Sequence, residues 1–243
     1  MTGDPEADGD GDRSTRPRHP VDGSERGRPP AESLTPIAER VLDVLVRYGY
    51  DLSAAVEAVD AAVPGVGGLF DPTTSRADVR AAVERTLDDG PAPAVHDHSP
   101  ATTPDAAVLY VDGSARGNPG PAGAGAVVLT TDGDTLAELG RPVGSRADNN
   151  TAEYAALLLG LDHLARHVRP RRLEVRIDSM TVVRDVWGDA AGADGVEKYR
   201  RPLTAHLRAI PDHDWHHLAD SDPNPADALA TVGADVAELG PGA

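Results

Sequence analysis

The spacing of the hydrophobic positions changes near residue 106 of the chain. Between residues 34 and 89, apolar side chains recur three or four positions apart, as they do on one face of a helix. Thr35–Pro36 and Ser75 are helix-start signals, and Pro64–Gly65 interrupts the pattern between them. This stretch predicts a small all-α module of three short helices, which at this size is marginal for folding alone.

From residue 106 onward, β-branched and alternating segments are interspersed with helical ones. The predicted strands cover residues 107–112, 122–130, 135–143, 173–178 and 213–219. The predicted helices cover residues 150–167, 181–187, 196–209 and 225–239. The order β-β-β-α-β-α-α-β-α predicts an α/β domain over residues 106–239, with a mixed five-stranded sheet flanked by helices.

Two segments carry no such pattern. Residues 1–33 are rich in Gly, Pro, Asp, Ser and Arg and have almost no aliphatic side chains, which predicts a disordered N-terminal tail. A basic arm that binds nucleic acid is the alternative, although acidic residues outnumber the arginines there. Residues 90–105 are rich in Pro, Ala, Thr and His and predict a linker.

The composition is strongly acidic. Acidic residues number 40 and basic residues 23, a formal net charge of −17, and Lys198 is the only lysine. We expect such a composition in a halophilic, archaeal protein that works in a salt-saturated cytoplasm. In molar salt the Debye length falls to ~3 Å, so the net charge does not exclude nucleic acid as a partner.

The absence of cysteine excludes disulfides, thiolate metal sites and a cysteine nucleophile. The chain has no apolar run near the ~20 residues that span a bilayer, and no signal-peptide pattern at its N-terminus. We therefore expect a cytoplasmic protein with no membrane partner, and a monomer.

Four carboxylates occupy positions where chemistry is common. Asp112 and Asp178 each end a predicted strand, where open α/β sheets bind ligands, and Glu153 and Asp227 lie in the first turns of helices. A turn, a helix cap or the helix dipole would explain each one separately. Together at one crevice they would repel one another unless cations were bound, and oxygen ligands select Mg²⁺ or Mn²⁺. Two such ions could assist a phosphodiester displacement.

Four segments in this order resemble the type 1 ribonuclease H family, in particular its archaeal and reverse-transcriptase-like branch. They are YVDGSARGNPGPAGAGAVV, DNNTAEYAALLLGL, VRIDSMTVV and NPADALA. The resemblance covers about residues 106–239 and implies a ribonuclease H-like fold. It also implies endonucleolytic hydrolysis of the RNA strand of RNA–DNA hybrids, leaving 5′-phosphate and 3′-hydroxyl ends.

The resemblance also assigns roles to individual residues. The catalytic and metal-binding positions, for two Mg²⁺ or Mn²⁺ ions, are Asp112, Glu153, Asp178 and Asp227. The positions that would contact the hybrid are Gly113, Ser114, Asn118, Asn149, Asn150 and Met180. Met180 stands where many relatives have a glutamine that contacts the hybrid, so one hydrogen bond to the substrate is expected to be missing.

The chain departs from the family at the loop before the last helix. Many relatives carry a histidine there, whereas residues 219–223 contain none. Strand alternation predicts that one of His216 and His217 points into the core or the sheet surface, and we assign neither a catalytic role. A non-catalytic protein that binds hybrids or RNA, and a nuclease of the same fold with another nucleic-acid substrate, remain alternatives. The module over residues 34–89 is expected to contact a protein partner or the substrate.

Overall fold

A computed structural model describes residues 29–90, 104–188, 193–210, 212–219 and 221–240 of the 243 residues. The disorder predicted for residues 1–28 and most of the predicted linker, residues 91–103, lie outside the described residues. Within the described ranges, no helix is long and apolar enough to cross a membrane.

The structure contains the predicted helices and strands with small shifts of their ends. The N-terminal helices are α1 (Pro36–Arg47), α2 (Leu52–Ala62) and α3 (Arg76–Asp89). The strands are β1 (Ala106–Ala115), β2 (Gly120–Thr130), β3 (Thr135–Ala147), β4 (Arg172–Ile177) and β5 (Asp212–His217). The remaining helices are α4 (Asn149–His163), α5 (Met180–Trp187), α6 (Glu197–Ala209) and α7 (Asp227–Ala237). A π-helical turn, Leu164–Val168, continues α4.

The five strands form one mixed sheet in the order β3-β2-β1-β4-β5, which confirms the predicted fold class. The first three strands are antiparallel neighbours, whereas β4 is parallel to both β1 and β5. The register of β1 on β4 places Tyr110 opposite Arg176. Residues two positions further along, Asp112 and Asp178, therefore lie at the same level of neighbouring strand ends.

Helix α4 is buried nearly all round because it lies between the sheet and the helices α5 and α6. Every residue from Thr151 to Leu161 is buried. Leu109 of β1 and Leu157 of α4 are both fully buried in the core on this side of the sheet. A carboxylate on the inner face of this helix, such as Glu153, is consequently held away from solvent.

Helix α7 lies unusually close to β2, and glycines allow this approach. A Cβ atom on Gly123 would lie 2.1 Å from the backbone nitrogen of Ala234, and one on Gly125 would lie 2.2 Å from the carbonyl oxygen of Ala226. The contact at Gly125 sets the distance between the sheet and the start of α7, where Asp227 lies.

The helical module shares a core with the α/β domain. Val236 of α7 belongs to the same buried cluster as the apolar residues of α1, α2 and α3. Leu52 is 2% exposed, and its side chain lies against Gly140 of β3. The backbone N–H of Gly140 donates to the carbonyl of Tyr50 at 3.0 Å. These contacts give the three short helices the apolar partner surface that they lack alone.

The structure differs from the expected tail at residues 29–33, which lie along the outer edge of β3. The N–H of Glu32 donates to the carbonyl of Val143 at 2.7 Å, and the N–H of Ser145 donates to the carbonyl of Ser33 at 2.9 Å. The buried Arg141 side chain donates to the carbonyl of Pro30 at 2.8 Å. Backbone hydrogen bonds to an edge strand thus hold this segment, whereas the expectation of disorder considered only its lack of aliphatic side chains.

Candidate active site

Three carboxylates converge at the carboxyl ends of the two central parallel strands. Asp112 lies near the end of β1, Asp178 directly follows β4, and Glu153 projects from the second turn of α4. Each offers one oxygen atom, and these three atoms all lie within 4.8 Å of one another. Asp112 and Glu153 are buried, whereas Asp178 is exposed, so the cluster opens to solvent on one side.

Burial strongly favours the neutral form of Asp112. The side chain is 7% exposed, and its pKa is raised from the ordinary value of 3.8 to about 7. Loss of solvation is the largest cause, and the negative charges of Asp178 and Asp227 add to it. Asp112 therefore carries its full charge at neutral pH only if a positive charge is bound beside it.

Glu153 is under the same constraint. It is 3% exposed, and burial, followed by the charges of Asp178 and Asp112, raises its pKa well above the ordinary value. Hydrogen bonds from the Gly113 backbone and the Asn149 side chain act in the opposite direction. Among the described residues, Glu153 Oε2 has no hydrogen-bond partner. A buried, unpartnered carboxylate oxygen facing two further carboxylates suits a hard divalent cation.

The fourth predicted carboxylate lies beside this cluster rather than within it. Asp227 is the first residue of α7 and is exposed. It is absent from the group of three that lie within 4.8 Å of one another, yet its charge is close enough to raise the pKa of Asp112. The structure thus brings three of the four predicted carboxylates together. Asp227 lies outside this group, and its charge raises the pKa of Asp112.

Two of the predicted hybrid-contacting residues are connected to the cluster by hydrogen bonds. The backbone N–H of Asn149 donates to Asn118 Oδ1 at 3.4 Å, and its Nδ2 donates to Glu153 Oε1 at 3.5 Å. Asn118, Asn149 and Asn150 are exposed. Gly113, Ser114 and Met180 are half-buried.

Gly113 also explains how α4 comes so close to β1. A Cβ atom on Gly113 would lie 2.4 Å from the backbone nitrogen of Glu153. Only a residue without a side chain allows α4 to bring Glu153 this near to β1.

Two polar side chains near the site were not predicted from the sequence. His217 Nε2 lies 2.9 Å from the carbonyl oxygen of Asp178, and Asn224 Nδ2 donates to the carbonyl of Val111 at 3.0 Å. Both His216 and His217 are exposed at the end of an edge strand, so of the two places expected for one of them, the core and the sheet surface, the core is excluded. Asn before Pro signals a turn at Asn224, but no local pattern indicates a bond to a strand 113 residues away.

The chain is similar in sequence to known proteins. A family model described as reverse transcriptase-like matches residues 110–233, half of the chain. A ribonuclease H from Jannaschia sp. is 39% identical over 143 residues, covering 52% of this chain and 89% of that protein. The chain belongs to the type 1 ribonuclease H family. This confirms the family indicated by the four segments, all of which lie within the matched region.

Two further members of the family show how much of the chain is similar to known proteins. Ribonuclease HI of Halobacterium salinarum is 37% identical over 128 residues, which is 52% of this chain and 63% of that protein. The N-terminal RNase H domain of a bifunctional protein from Mycobacterium tuberculosis superposes with a TM-score of 0.51 at 34% identity, covering 54% of this chain and 95% of that structure. In sequence the chain spans only 22% of the whole mycobacterial protein. The helical module lies outside the region that the family model matches.

Proposed function

We propose that the protein hydrolyses the RNA strand of RNA–DNA hybrids endonucleolytically, with two Mg²⁺ or Mn²⁺ ions, leaving 5′-phosphate and 3′-hydroxyl ends. The observation that carries the proposal is the cluster of three carboxylates, two buried and one exposed, at the strand ends of a chain in the ribonuclease H family. Burial raises the pKa of two of its members, Asp112 and Glu153, so that a cation bound beside them would stabilise their charged forms.

Each acidic residue has a role in this proposal. Asp112 and Asp178 would each help to hold the ions, and Asp227 would complete the second metal site. Glu153 would hold one ion through its unpartnered Oε2 and orient the attacking water. The ions would supply activation of that water and neutralisation of charge at the phosphate.

The substrate would lie across the exposed residues around the cluster. We assign Asn118, Asn149 and Asn150 to contacts with the hybrid, supported by the hydrogen bond that joins Asn149 to Asn118 and the one that joins Asn149 to Glu153. Gly113 and Ser114 would sense the RNA 2′-hydroxyl groups, the feature that distinguishes RNA from DNA. Met180, at the start of α5, would contact the hybrid without a hydrogen bond.

We further propose that the protein works in a salt-saturated cytoplasm, as halophilic archaeal proteins do. The support is the net charge of −17 with a single lysine, together with the similarity to an enzyme of Halobacterium salinarum. Molar salt screens the repulsion between this surface and phosphates beyond ~3 Å, so that close contacts decide binding.

Cleavage of a labelled RNA–DNA hybrid in high KCl tests the proposal. The full chain is assayed with Mg²⁺ and with Mn²⁺, beside Asp112→Asn and the control Asp132→Asn, which neutralises an exposed hairpin carboxylate. We expect cutting of the hybrid but not of matched RNA–RNA or DNA–DNA duplexes, lost in Asp112→Asn and kept in the control. Tight hybrid binding without cleavage under either metal would favour the non-catalytic alternative, and cutting of duplex DNA would favour a nuclease with another substrate.

A further inference from the structure

One side chain ties the loop before α7 to the end of β1. Asn224 Nδ2 donates to the carbonyl oxygen of Val111 at 3.0 Å. Asn224 Oδ1 accepts from the backbone N–H of Ala226 at 3.1 Å, and the Asn224 carbonyl accepts from the N–H of Asp227 at 3.2 Å. These three bonds connect the residue that precedes Asp112 with the first residues of α7.

The end of β1 needs such a bond. Pairing of β1 with β4 stops at Tyr110, whereas pairing with β2 continues to Ala115. Val111 is fully buried, and a buried carbonyl without a donor destabilises the fold. The amide of Asn224 supplies the donor where the strand partner on that side has ended.

The start of α7 is therefore held from two sides. Gly125 of β2 meets the carbonyl of Ala226 on one side, and Asn224 accepts from the N–H of Ala226 on the other. Asp227 is exposed and lies outside the tight group of three carboxylates. Its distance from Asp112 thus depends on where the loop and the helix start are fixed.

We propose that Asn224 is a positioning residue that sets the separation of Asp112 and Asp227, and with it the affinity for a divalent ion that these two carboxylates share. This inference rests on the metal site in the proposed function, but it does not require that the substrate is an RNA–DNA hybrid. Outer partners of metal ligands commonly contribute about 10–100-fold to metal affinity or activity.

Two substitutions remove the hydrogen bond to Val111 while keeping the one to Ala226 within the local turn. Asn224→Ser and Asn224→Asp both keep an oxygen that can accept the N–H of Ala226. Serine is too short to reach Val111, and an ionised aspartate cannot donate to its carbonyl. Asp222→Ala is the matched control, because Asp222 caps the same loop by accepting from the N–H of Ala219 at 2.9 Å.

The affinity for Mn²⁺ alone is measured on the full chain in high KCl, without nucleic acid, from the rise in the thermal unfolding midpoint with metal concentration. The Mg²⁺ dependence of hybrid cleavage is measured separately. We expect both Asn224 variants to need about 10-fold more metal in each measurement, with the KM for hybrid nearly unchanged. The control should stay within about twofold of the natural chain. The extra negative charge of the aspartate variant would by itself favour cations, so a shared weakening points to lost geometry.

Metal requirements within about twofold of the natural chain in both variants would overturn the inference, as would an equal weakening in Asp222→Ala. If Asn224→Ser fails to fold, Asn224→Asp carries the test, and unfolding of both without metal would assign Asn224 a general structural role instead. If the natural chain binds Mn²⁺ but cuts no hybrid, the proposed function fails while the Mn²⁺ titrations still decide the role of Asn224.

Discussion

The buried carboxylates predict that removing one of them stabilises the metal-free protein while abolishing its activity. Asp112→Asn keeps the shape of the side chain and eliminates a group whose pKa rises from 3.8 to about 7 on folding. At 1.36 kcal/mol per pH unit, this rise corresponds to an unfavourable contribution of up to about 4 kcal/mol at pH 8. Because this variant changes no other residue of the site, the change in the free energy of unfolding reports on the buried charge of Asp112.

The sign of the pH dependence follows from proton uptake. Because the folded protein holds the Asp112 proton up to a higher pH than the unfolded chain does, the free energy of unfolding falls as pH rises between about 4 and 7. The gain from Asp112→Asn should therefore be only about 1.6 kcal/mol at pH 5 and reach its full size above pH 7. Loss of the Asp112 charge also relieves Glu153, which adds in the same direction.

Urea unfolding in EDTA at pH 5 and pH 8 measures this difference, with Asp132→Asn as the control. The largest cause of the shift is burial, which salt does not screen, so most of the gain should persist in molar KCl. Adding Mg²⁺ should stabilise the natural chain and have little effect on Asp112→Asn. Equal stability of the two proteins at pH 8, or a gain as large at pH 5 as at pH 8, would refute the reasoning.

Three further substitutions test the packing around the site. Gly125→Ala places a Cβ 2.2 Å from a backbone oxygen of α7, and we expect a loss of about 1–3 kcal/mol in urea unfolding together with a higher Mg²⁺ requirement for cleavage. Asp185→Ala removes a buried carboxylate that accepts a hydrogen bond from the Tyr154 hydroxyl at 2.6 Å and pairs with Arg200 at 2.5 Å. We expect its thermal unfolding midpoint to fall by the equivalent of about 2–3 kcal/mol. Leu52→Ala should lower the free energy of unfolding by about 2–5 kcal/mol. Its unfolding transitions followed by circular dichroism and by tryptophan fluorescence should coincide, and separate transitions would contradict a shared core.

The sequence predicted those features that depend on local order along the chain. Strand and helix periodicity gave the order of elements, and Asp112 and Asp178 were expected at one crevice because each ends a predicted strand of an α/β sheet. Residues 29–33 were misjudged because backbone bonding to an edge strand leaves no trace in hydrophobicity. The contacts of Asn224 and His217 join elements far apart in the chain, and a single sequence carries no signal for such pairs.

The packing of the helical module against α7 could not be predicted from the sequence for another reason. Leu229, Val232 and Val236 look like the inner face of any amphipathic helix, and periodicity does not show that this helix faces two neighbours. The partner or substrate of the module, the cytoplasmic location and the monomeric state stay predictions.

The shared core also has a consequence for the order in which the protein folds during its synthesis. Helices α1, α2 and α3 are synthesised before the α/β domain, but their core includes Val236, about 150 residues after α3 ends. The hydroxyl of Thr35 likewise donates to the carbonyl of Leu239, 204 residues further along. Until the α/β domain has been translated, the apolar surface with which the module packs on α7 and β3 therefore stays uncovered. The nascent chain is thus most exposed to aggregation and to chaperones over the interval when the sheet is being made, and a ribosome-bound intermediate stalled before α7 should be sensitive to protease within residues 36–89.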